Sequence, residues 1–306
     1  MSQSFRATVS EYLKGLQDRI CAGLEQVDGT KTFHTDTWER PGGGGGRSRV
    51  IADGAVFEKG GVNFSEVHGE MQADFAKQLP GEGNKFYAAG VSLVIHPHNP
   101  NVPTVHANFR YLEKGDAWWF GGGADLTPYY PRLEDVVHFH RTWRDACARH
   151  PDVADHARFK KECDEYFYLP HRGEARGVGG IFFDYLRGDR DATFSFVRGA
   201  ADSFLESYSP IALRRRNDPF TPEQKDFQTY RRGRYVEFNL IYDRGTLFGL
   251  KTAGRIESIL MSLPPVVRYV YNWQPTPGTP EEALTSYWLK PRDWAAEILP
   301  AEGKSS

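Results

Sequence analysis

Residues 90–110, GVSLVIHPHNPNVPTVHANFR, predict two β-strands joined by a loop rich in proline and asparagine. Side chains alternate between the two faces of a strand, so every second residue points the same way. One set of alternate positions is mainly apolar and predicts a packed surface, whereas the other set is polar. In either plausible even register of the hairpin, five polar side chains share one surface: Ser92, His96, His106, Asn108 and Arg110. A face that was only solvated would more often carry Lys, Glu and Thr, so this pattern favours recognition or catalysis.

The length and composition are those of a globular protein that can fold as one domain. The chain has 306 residues, of which 40% are hydrophobic and 25% are charged. A chain of this length buries roughly 75% of its unfolded surface. It has no repeat of solenoid length and no Ser/Gly-rich or charged linker. These observations predict one domain over residues 1–301 and a flexible tail over residues 302–306.

Charge and hydropathy exclude several classes of partner. The formal net charge of −2 argues against a nucleic-acid binder, which would carry a strongly basic domain. The first residues lack the apolar stretch of a signal peptide, and no apolar run approaches the roughly 20 residues that cross a bilayer. We therefore expect a cytoplasmic protein without a membrane span. The cysteines, Cys21, Cys147 and Cys163, lie too far apart for a CxxC pair and are expected to be buried.

Hydrophobic periodicity predicts several other elements. An amphipathic helix is expected over residues 5–24, and another is expected to begin at Ser65 and continue to about residue 79. A helix over residues 135–150 would turn His140 inward. The aromatic content of 14% and the clustered glycines suggest a wide, flat sheet with tight loops. Alternation of apolar residues over 231–242 predicts a further strand.

Asp243 follows this predicted strand and is a candidate functional carboxylate. It belongs to the segment 230–250, YRRGRYVEFNLIYDRGTLFGL, in which Asp243 would close a polar face and Arg244 would begin a turn. A carboxylate beside aromatic rings on a sheet is partly desolvated, which suits a base or an acceptor for a ligand N–H. The alternative is that Asp243 only forms the turn, and the residues by themselves leave both interpretations open.

The histidines also leave two interpretations open. Four of them fall at element ends or on an inward stripe, which is compatible with nitrogen ligands of a metal or with hydrogen-bonded and proton-transferring histidines. They are His96, His106, His140 and His171. Their spacing fits no compact metal motif. The glycine run 42–46 lacks the GK[ST] ending of a phosphate loop and GVGGIFFD lacks the GxGxxG pattern, so no nucleotide or flavin site is expected.

Several long motifs resemble one known family, the oxygen-dependent coproporphyrinogen III oxidases of haem biosynthesis. They extend from about the opening helix to Trp294: GGGGGRSRV, VFEKGGVNFSEV, HPHNPNVPTVHANFR, WWFGGGADLTPYY, CDEYFYLPHR, RRGRYVEFNLIYDRGTLFGL and ESILMSLPP. The resemblance implies an α+β fold, a single-domain three-layer α/β/α sandwich around a large, flat, mainly antiparallel sheet. It also implies a homodimer, with the dimer contact in the region after Tyr235.

The implied reaction is oxidative decarboxylation of the ring A and ring B propionates of coproporphyrinogen III to vinyl groups. Dioxygen would be the co-substrate, with no organic cofactor, and the product would be protoporphyrinogen IX. A porphyrinogen is electron-rich and can itself reduce oxygen, so the protein would need only to position it, manage protons and hold carboxylates. The resemblance further suggests a divalent metal such as manganese.

The resemblance also assigns site residues by matching motif. Substrate contacts would be Ser92, Asn108, Phe109, Arg110, Ala253, Gly254 and Arg255. His106 would be the proton donor, and the proposed metal ligands would be His96, His106, His140 and His171. We further expect Asp243 to accept pyrrole N–H groups, and Arg110, Arg244 and Arg255 to clamp propionates.

Two positions depart from the family pattern. Ala253 stands where the family turn has a glycine, and His98 stands where a basic residue is usual. Two rival functions fit the same residues. A histidine-ligated metal hydrolase would act without oxygen and fail on chelation, and a tetrapyrrole carrier would bind porphyrin without forming a vinyl product.

Overall fold

The computed structural model describes residues 3–251 and 254–299. Its central feature is a seven-stranded antiparallel sheet in the order β1-β2-β3-β4-β5-β6-β9. The strands of this sheet are β1 (His34–Glu39), β2 (Gly44–Ala52), β3 (Phe57–Glu70), β4 (Lys85–Pro97), β5 (Thr104–Lys114), β6 (Ala117–Thr127) and β9 (Gly179–Leu186). A separate two-stranded ribbon pairs β7 (Tyr168–Leu169) with β8 (Glu174–Ala175).

Helices cover both faces of the large sheet, so the predicted fold class is confirmed. The helices are α1 (Gln3–Asp28), α2 (Ala73–Ala76), α3 (Leu133–Ala148), α4 (His156–Tyr166), α5 (Arg190–Asp202), α6 (Phe204–Arg215), α7 (Pro222–Ile241), α8 (Arg244–Lys251), α9 (Ile256–Leu260) and α10 (Pro280–Ala283). A π-helical turn over Leu284–Trp288 and a 3-10 turn over Trp294–Ala296 follow. Within the described residues, no helix is both long enough and apolar enough to cross a membrane.

One face of the sheet, which we call the core face, builds the hydrophobic core. Its buried side chains include Val91, Leu93, Val105 and Phe109 of the predicted hairpin. They pack together with apolar residues of α1, α3, α5 and α6. Burying this much apolar surface is the main driving force for the fold, and it fixes which residues face the other way.

The predicted hairpin is confirmed in extent and in register. Ser92 of β4 pairs with Asn108 of β5, and Gly90 pairs with Arg110. Because directly paired residues point to the same side, the polar residues of both strands share the face opposite the core. The opening helix and the helix around His140 are also confirmed, and the thiols of the cysteines are buried.

The helix expected to begin at Ser65 is wrong. Ser65 lies inside β3, which pairs with β2 as far as Val67 and with β4 as far as Glu70, and only α2 is helical in this region. The spacing of Val67 and Phe75 instead reflects one hydrophobic cluster that a strand, a turn and a short helix build together. Sheet pairing on both sides outweighed the local helical pattern.

The strand expected over residues 231–242 is also wrong, because residues 231–241 form the second half of α7 and Tyr242 ends it. Thr221 caps this helix in a capping box with Gln224, and Pro222 occupies the first turn, a strong start signal. Buried residues recur at helical spacing along α7, as Phe227, Arg231, Tyr235 and Phe238 show, whereas Leu240, one of the alternating apolar residues, is exposed. Asp243 therefore follows a helix rather than ending a strand.

The domain limits stay a prediction, and the tail at 302–306 lies outside the described residues, as does Ala253.

Candidate functional site

The face opposite the core, which we call the polar face, is built from small and polar residues. Register across the strands aligns one row of Ser48, Asn63, Ser92, Asn108 and Gly123. The neighbouring row aligns Gly46, Ser65, Gly90, Arg110 and Gly121. Ser92, Asn108 and Arg110 are only half-buried, although they lie at the centre of the sheet. The rows therefore form a flat, accessible platform, with α7, α8 and α9 around it.

His106 is held by a buried carboxylate on the next strand. Its Nδ1 lies 2.8 Å from Asp125 Oδ1, and the two residues are direct partners in the sheet. Because an ionised carboxylate only accepts hydrogen bonds, Nδ1 carries a proton, and Nε2 is the ring nitrogen that remains for other partners. His106 remains about 19% exposed, whereas Asp125 is 1% exposed.

The charge on Asp125 is balanced by Arg176. The Nη2 of Arg176 donates to both carboxylate oxygens of Asp125, at 2.8 and 2.9 Å. The guanidinium also lies 4.2 to 4.7 Å from the ring centres of three aromatic residues, Phe167, Tyr235 and Phe238. Burial raises the pKa of the Asp125 carboxyl, but the charge of Arg176 and the hydrogen bond from His106 lower it more, so its pKa lies below the ordinary value.

Hydrogen bonds extend from Arg176 towards His96. Arg176 Nη1 donates to Asn239 Oδ1 at 2.9 Å, which ties α7 to the sheet. His96 Nε2 lies 2.9 Å from the carbonyl oxygen of Ser262 and its Nδ1 lies 3.3 Å from Thr104 Oγ1. Burial is the main reason that the pKa of His96 falls to about 3, so its ring is neutral near neutral pH.

Asp243 lies between α7 and α8 and caps α8. Its Oδ2 accepts from the backbone N–H of Thr246 at 2.7 Å and from its hydroxyl at 2.9 Å, and its Oδ1 accepts from the Tyr166 hydroxyl at 2.8 Å. Burial raises the pKa of Asp243, but these hydrogen bonds and the charge of His106 lower it more, leaving it below the ordinary value. Asp243 is thus an ionised carboxylate within electrostatic reach of His106.

Arg110 and Arg244 meet at the edge of the polar face formed by β9. Arg110 Nη2 lies 2.9 Å from Asp184 Oδ2, and Arg244 Nη2 lies 3.7 Å from the same oxygen. Arg110 Nη1 also donates to Asn108 Oδ1 at 3.1 Å. The Arg244 guanidinium lies 4.7 Å from the Tyr166 ring centre and its side chain is 52% exposed. This corner therefore presents a guanidinium that a ligand can reach.

Arg255 lies at the opposite edge of the polar face. Its Nη1 is 2.6 Å from Asp36 Oδ2 on β1, and the next turn of chain is fixed by Ser258 Oγ, 2.7 Å from Ser48 Oγ. Four inter-strand spacings separate β1 from β5, which amounts to about 19 Å. Arginines thus flank the platform from two sides.

The other residues assigned by the resemblance take different positions. Phe109 points to the core face and packs against Trp143 with ring centres 6.4 Å apart, so only its backbone is shared with the polar face. Gly254 donates its N–H to the carbonyl oxygen of Gly249 at 2.7 Å. Ala253 lies outside the described residues.

The four histidines are not gathered into a donor set. His140 bonds to the carbonyl oxygen of Val178 from a buried position on α3, and burial holds its pKa well below the ordinary value. His171 lies 2.8 Å from Glu237 Oε2 and 2.9 Å from the Tyr242 hydroxyl. Among residues 3–251 and 254–299, no group of three or more His, Cys, Asp or Glu side chains is placed to hold a metal. The residues present do not fit the expected metal.

Sequence reasoning missed four members of this site: Asp125, Tyr166, Arg176 and Asp184. A signal existed for Asp125, since Gly121, Gly123 and Asp125 alternate along β6 and continue the parity of the hairpin. Tyr166 ends a helix, Arg176 follows the short strand β8, and Asp184 lies at a β-bulge, so no periodicity marks them.

The chain matches a known protein family. The family model described as coproporphyrinogen III oxidase matches residues 8–294, which is nearly the whole chain.

Proposed function

Since the chain belongs to the coproporphyrinogen III oxidase family, an oxidoreductase family of haem biosynthesis, we propose that it acts by the oxygen-dependent route. It converts the ring A and ring B propionates of coproporphyrinogen III to vinyl groups and releases protoporphyrinogen IX and carbon dioxide. Dioxygen is the oxidant, and the proposal includes neither an organic cofactor nor a metal step.

One observation carries the proposal, namely a flat polar platform flanked by arginines and bordered by two carboxylates. Arg110 and Arg244 lie on one side and Arg255 on the other. A planar ligand with carboxylates on its periphery suits this arrangement, because guanidinium groups bind carboxylates with paired hydrogen bonds. The small residues Ser65, Gly90 and Ser92 at the centre of the rows are half-buried and leave room for rings to lie on the sheet.

Asp243 acts as the acceptor for pyrrole N–H groups. Its lowered pKa keeps it ionised, and the bonds from Tyr166 and Thr246 fix its direction. A fixed carboxylate that accepts an N–H pushes electron density into the pyrrole, which favours electron transfer from the ring to dioxygen.

His106 handles a proton during the reaction. Asp125 holds its Nδ1–H, so Nε2 is the atom that receives and returns a proton on the exposed side of the ring. In each decarboxylation, the propionate β-carbon loses a hydrogen, the bond to the carboxyl carbon breaks and a carbon–carbon double bond forms. Two electrons reduce dioxygen, which leaves as hydrogen peroxide with the β-hydrogen and one proton that is supplied through His106 Nε2.

The direct test is incubation with coproporphyrinogen in air and under nitrogen, with the products oxidised and separated by chromatography. Protoporphyrin is expected only in air, with one hydrogen peroxide formed per vinyl group. Product under nitrogen would contradict the oxygen-dependent route. Tight porphyrin binding without a vinyl product would instead favour the carrier function, and oxygen-free activity lost on chelation would favour the metal hydrolase.

The active form is a homodimer in this proposal, with the contact in the region after Tyr235. From α7 onwards the chain exposes large apolar side chains, which marks an interaction surface. Those between residues 240 and 271 are Leu240, Ile241, Leu247, Leu250, Ile256, Val266, Tyr269, Val270 and Tyr271.

Tyr271→Glu is expected to shift the protein from dimer to monomer in analytical ultracentrifugation. Tyr271 is 99% exposed, so the change places a charge in the contact without disturbing the fold of one chain. The matched control is Leu213→Glu on α6, which alters a 46% exposed apolar residue elsewhere. A wild-type protein that sediments as a monomer would contradict the proposal.

A further inference from the structure

The carboxylate of Asp184 pairs with Arg110 and Arg244, the two arginines that are proposed to bind substrate carboxylates on this side of the platform. Its Oδ2 lies 2.9 Å from Arg110 Nη2 and 3.7 Å from Arg244 Nη2. The side chain is only 14% exposed, so its charge interacts with the arginines with little screening by water.

The sheet is locally modified to place this carboxylate. Phe120 pairs with Leu186 and Gly122 with Phe183, so Asp184 and Tyr185 together face Gly121 in a β-bulge. Tyr185 has a φ of +52°, in the region that favours glycine, and its N–H donates to Asp184 Oδ1 at 3.0 Å. Bulges of this kind re-aim side chains beside functional sites.

Gly121 leaves the space that the ion pair occupies. A Cβ at this position would lie 2.7 Å from Asp184 Oδ1 and 2.8 Å from Arg110 Nε. Any other residue at position 121 would therefore push the carboxylate and the guanidinium apart. The Arg110–Asp184 ion pair therefore lies at the edge of the platform, since Arg110 belongs to one of its two rows.

The two carboxylates at this corner have separate partners. Asp184 forms ion pairs with Arg110 and Arg244. Asp243 instead accepts a hydrogen bond from the Tyr166 hydroxyl and caps α8. Arg110 is pinned from a second side by Asn108, whereas Arg244 is half-exposed and can turn from Asp184 to a ligand.

We propose that Asp184 is an internal competitor of the substrate propionate, which keeps both arginines oriented in the empty site and weakens their hold on the bound carboxylate. The proposal rests on the proposed function, because it needs Arg110 and Arg244 to bind propionates. A carboxylate that competes for the same donors lowers the affinity of the arginines for propionates and so speeds product release. Fast release is useful here because the product also carries carboxylates.

Asp184→Asn is expected to tighten the binding of coproporphyrin III, a stable tetracarboxylate probe, by about tenfold in fluorescence titration. Binding of the tetramethyl ester of the same porphyrin should not change, since it carries no carboxylate. In turnover assays KM should fall, and kcat should fall with it as product leaves more slowly. Structural damage would weaken binding, so a gain in affinity separates competition from a merely structural role.

Two variants complete the test. Glu162→Gln removes a carboxylate of the same neighbourhood that pairs with Arg158, and it should leave porphyrin affinity unchanged. In an Arg244→Gln background the gain from Asp184→Asn should shrink, because the shared donor is gone.

The outcomes separate this inference from the proposed function. If the wild-type protein neither binds coproporphyrin nor turns over its reduced form, the proposed function fails. If the wild type does both but Asp184→Asn binds the tetracarboxylate equally or more weakly, the competition by Asp184 is refuted. Unfolded Asp184→Asn protein would call for Asp184→Ser, which must show the same gain in affinity.

Discussion

Asp243→Asn is expected to lower kcat by about 10²- to 10³-fold while leaving porphyrin affinity nearly unchanged. The amide has no charge, and it can present its NH₂ group to the pyrrole N–H, where only an acceptor helps. Its oxygen can still accept from the backbone N–H of Thr246, so α8 keeps its cap. Steady-state kinetics with coproporphyrinogen, together with coproporphyrin titration, measures the two effects separately.

Asp189→Asn is the matched control for this prediction. Asp189 caps α5 by accepting from the N–H of Ala192 at 2.8 Å, which is the same kind of bond that Asp243 makes to Thr246, but its hydrogen bonds are to Ala192 and Thr193 of α5 and not to the site residues. Its replacement should leave kcat unchanged. A normal rate for Asp243→Asn would refute the proposed role of this carboxylate.

Asp125→Asn is expected to have the largest effect on stability, about 3–5 kcal/mol of the free energy of unfolding. The change removes the charge that balances Arg176, whose side chain is 2% exposed, and leaves a buried cation without a counter-ion. It also removes the carboxylate that holds His106 Nδ1–H, so turnover should fall together with stability. Urea unfolding followed by circular dichroism measures the loss.

Asp135→Asn tests whether burial of the arginine decides this loss. Asp135 also pairs with arginines, Arg214 and Arg215, but their side chains are 44% and 12% exposed, so water can solvate them once the charge is removed. The loss of stability should be smaller than for Asp125→Asn, and kcat should be unchanged. Equal losses in both variants would show that the buried pair has no special role.

Prediction from the sequence succeeded where the pattern was local and long. The hairpin of β4 and β5 alternates strictly over many residues, and a shift of one residue would have buried His106 and Arg110 in the core. The family resemblance rests on motifs spread over most of the chain, and the family match over residues 8–294 confirms it. The roles assigned to individual residues through that resemblance stay proposals.

Prediction failed where the same residues fit both the two-residue period of a strand and the 3.6-residue period of a helix. Residues 231–242 alternate as a strand would, yet they also place buried residues at helical spacing in α7, and the start signals at Thr221 and Pro222 decide between the two. Around Ser65 the reverse happened, because pairing with strands on both sides outweighed a helical pattern. The expected metal ligands do not meet, because His140 lies on α3, which packs on the core face, whereas His96 and His106 lie on the polar face.

The amino-acid sequence by itself determined the family, the hairpin and the set of polar residues that share one sheet face, since alternation along a strand is a local property of the backbone. Only the tertiary structure decided that Arg176, Asp184 and Asp243 join that face. Arg176 follows a short ribbon strand, Asp184 lies at a bulge and Asp243 caps a helix. Contacts between segments distant in the chain depend on packing of the whole core, which no local pattern encodes.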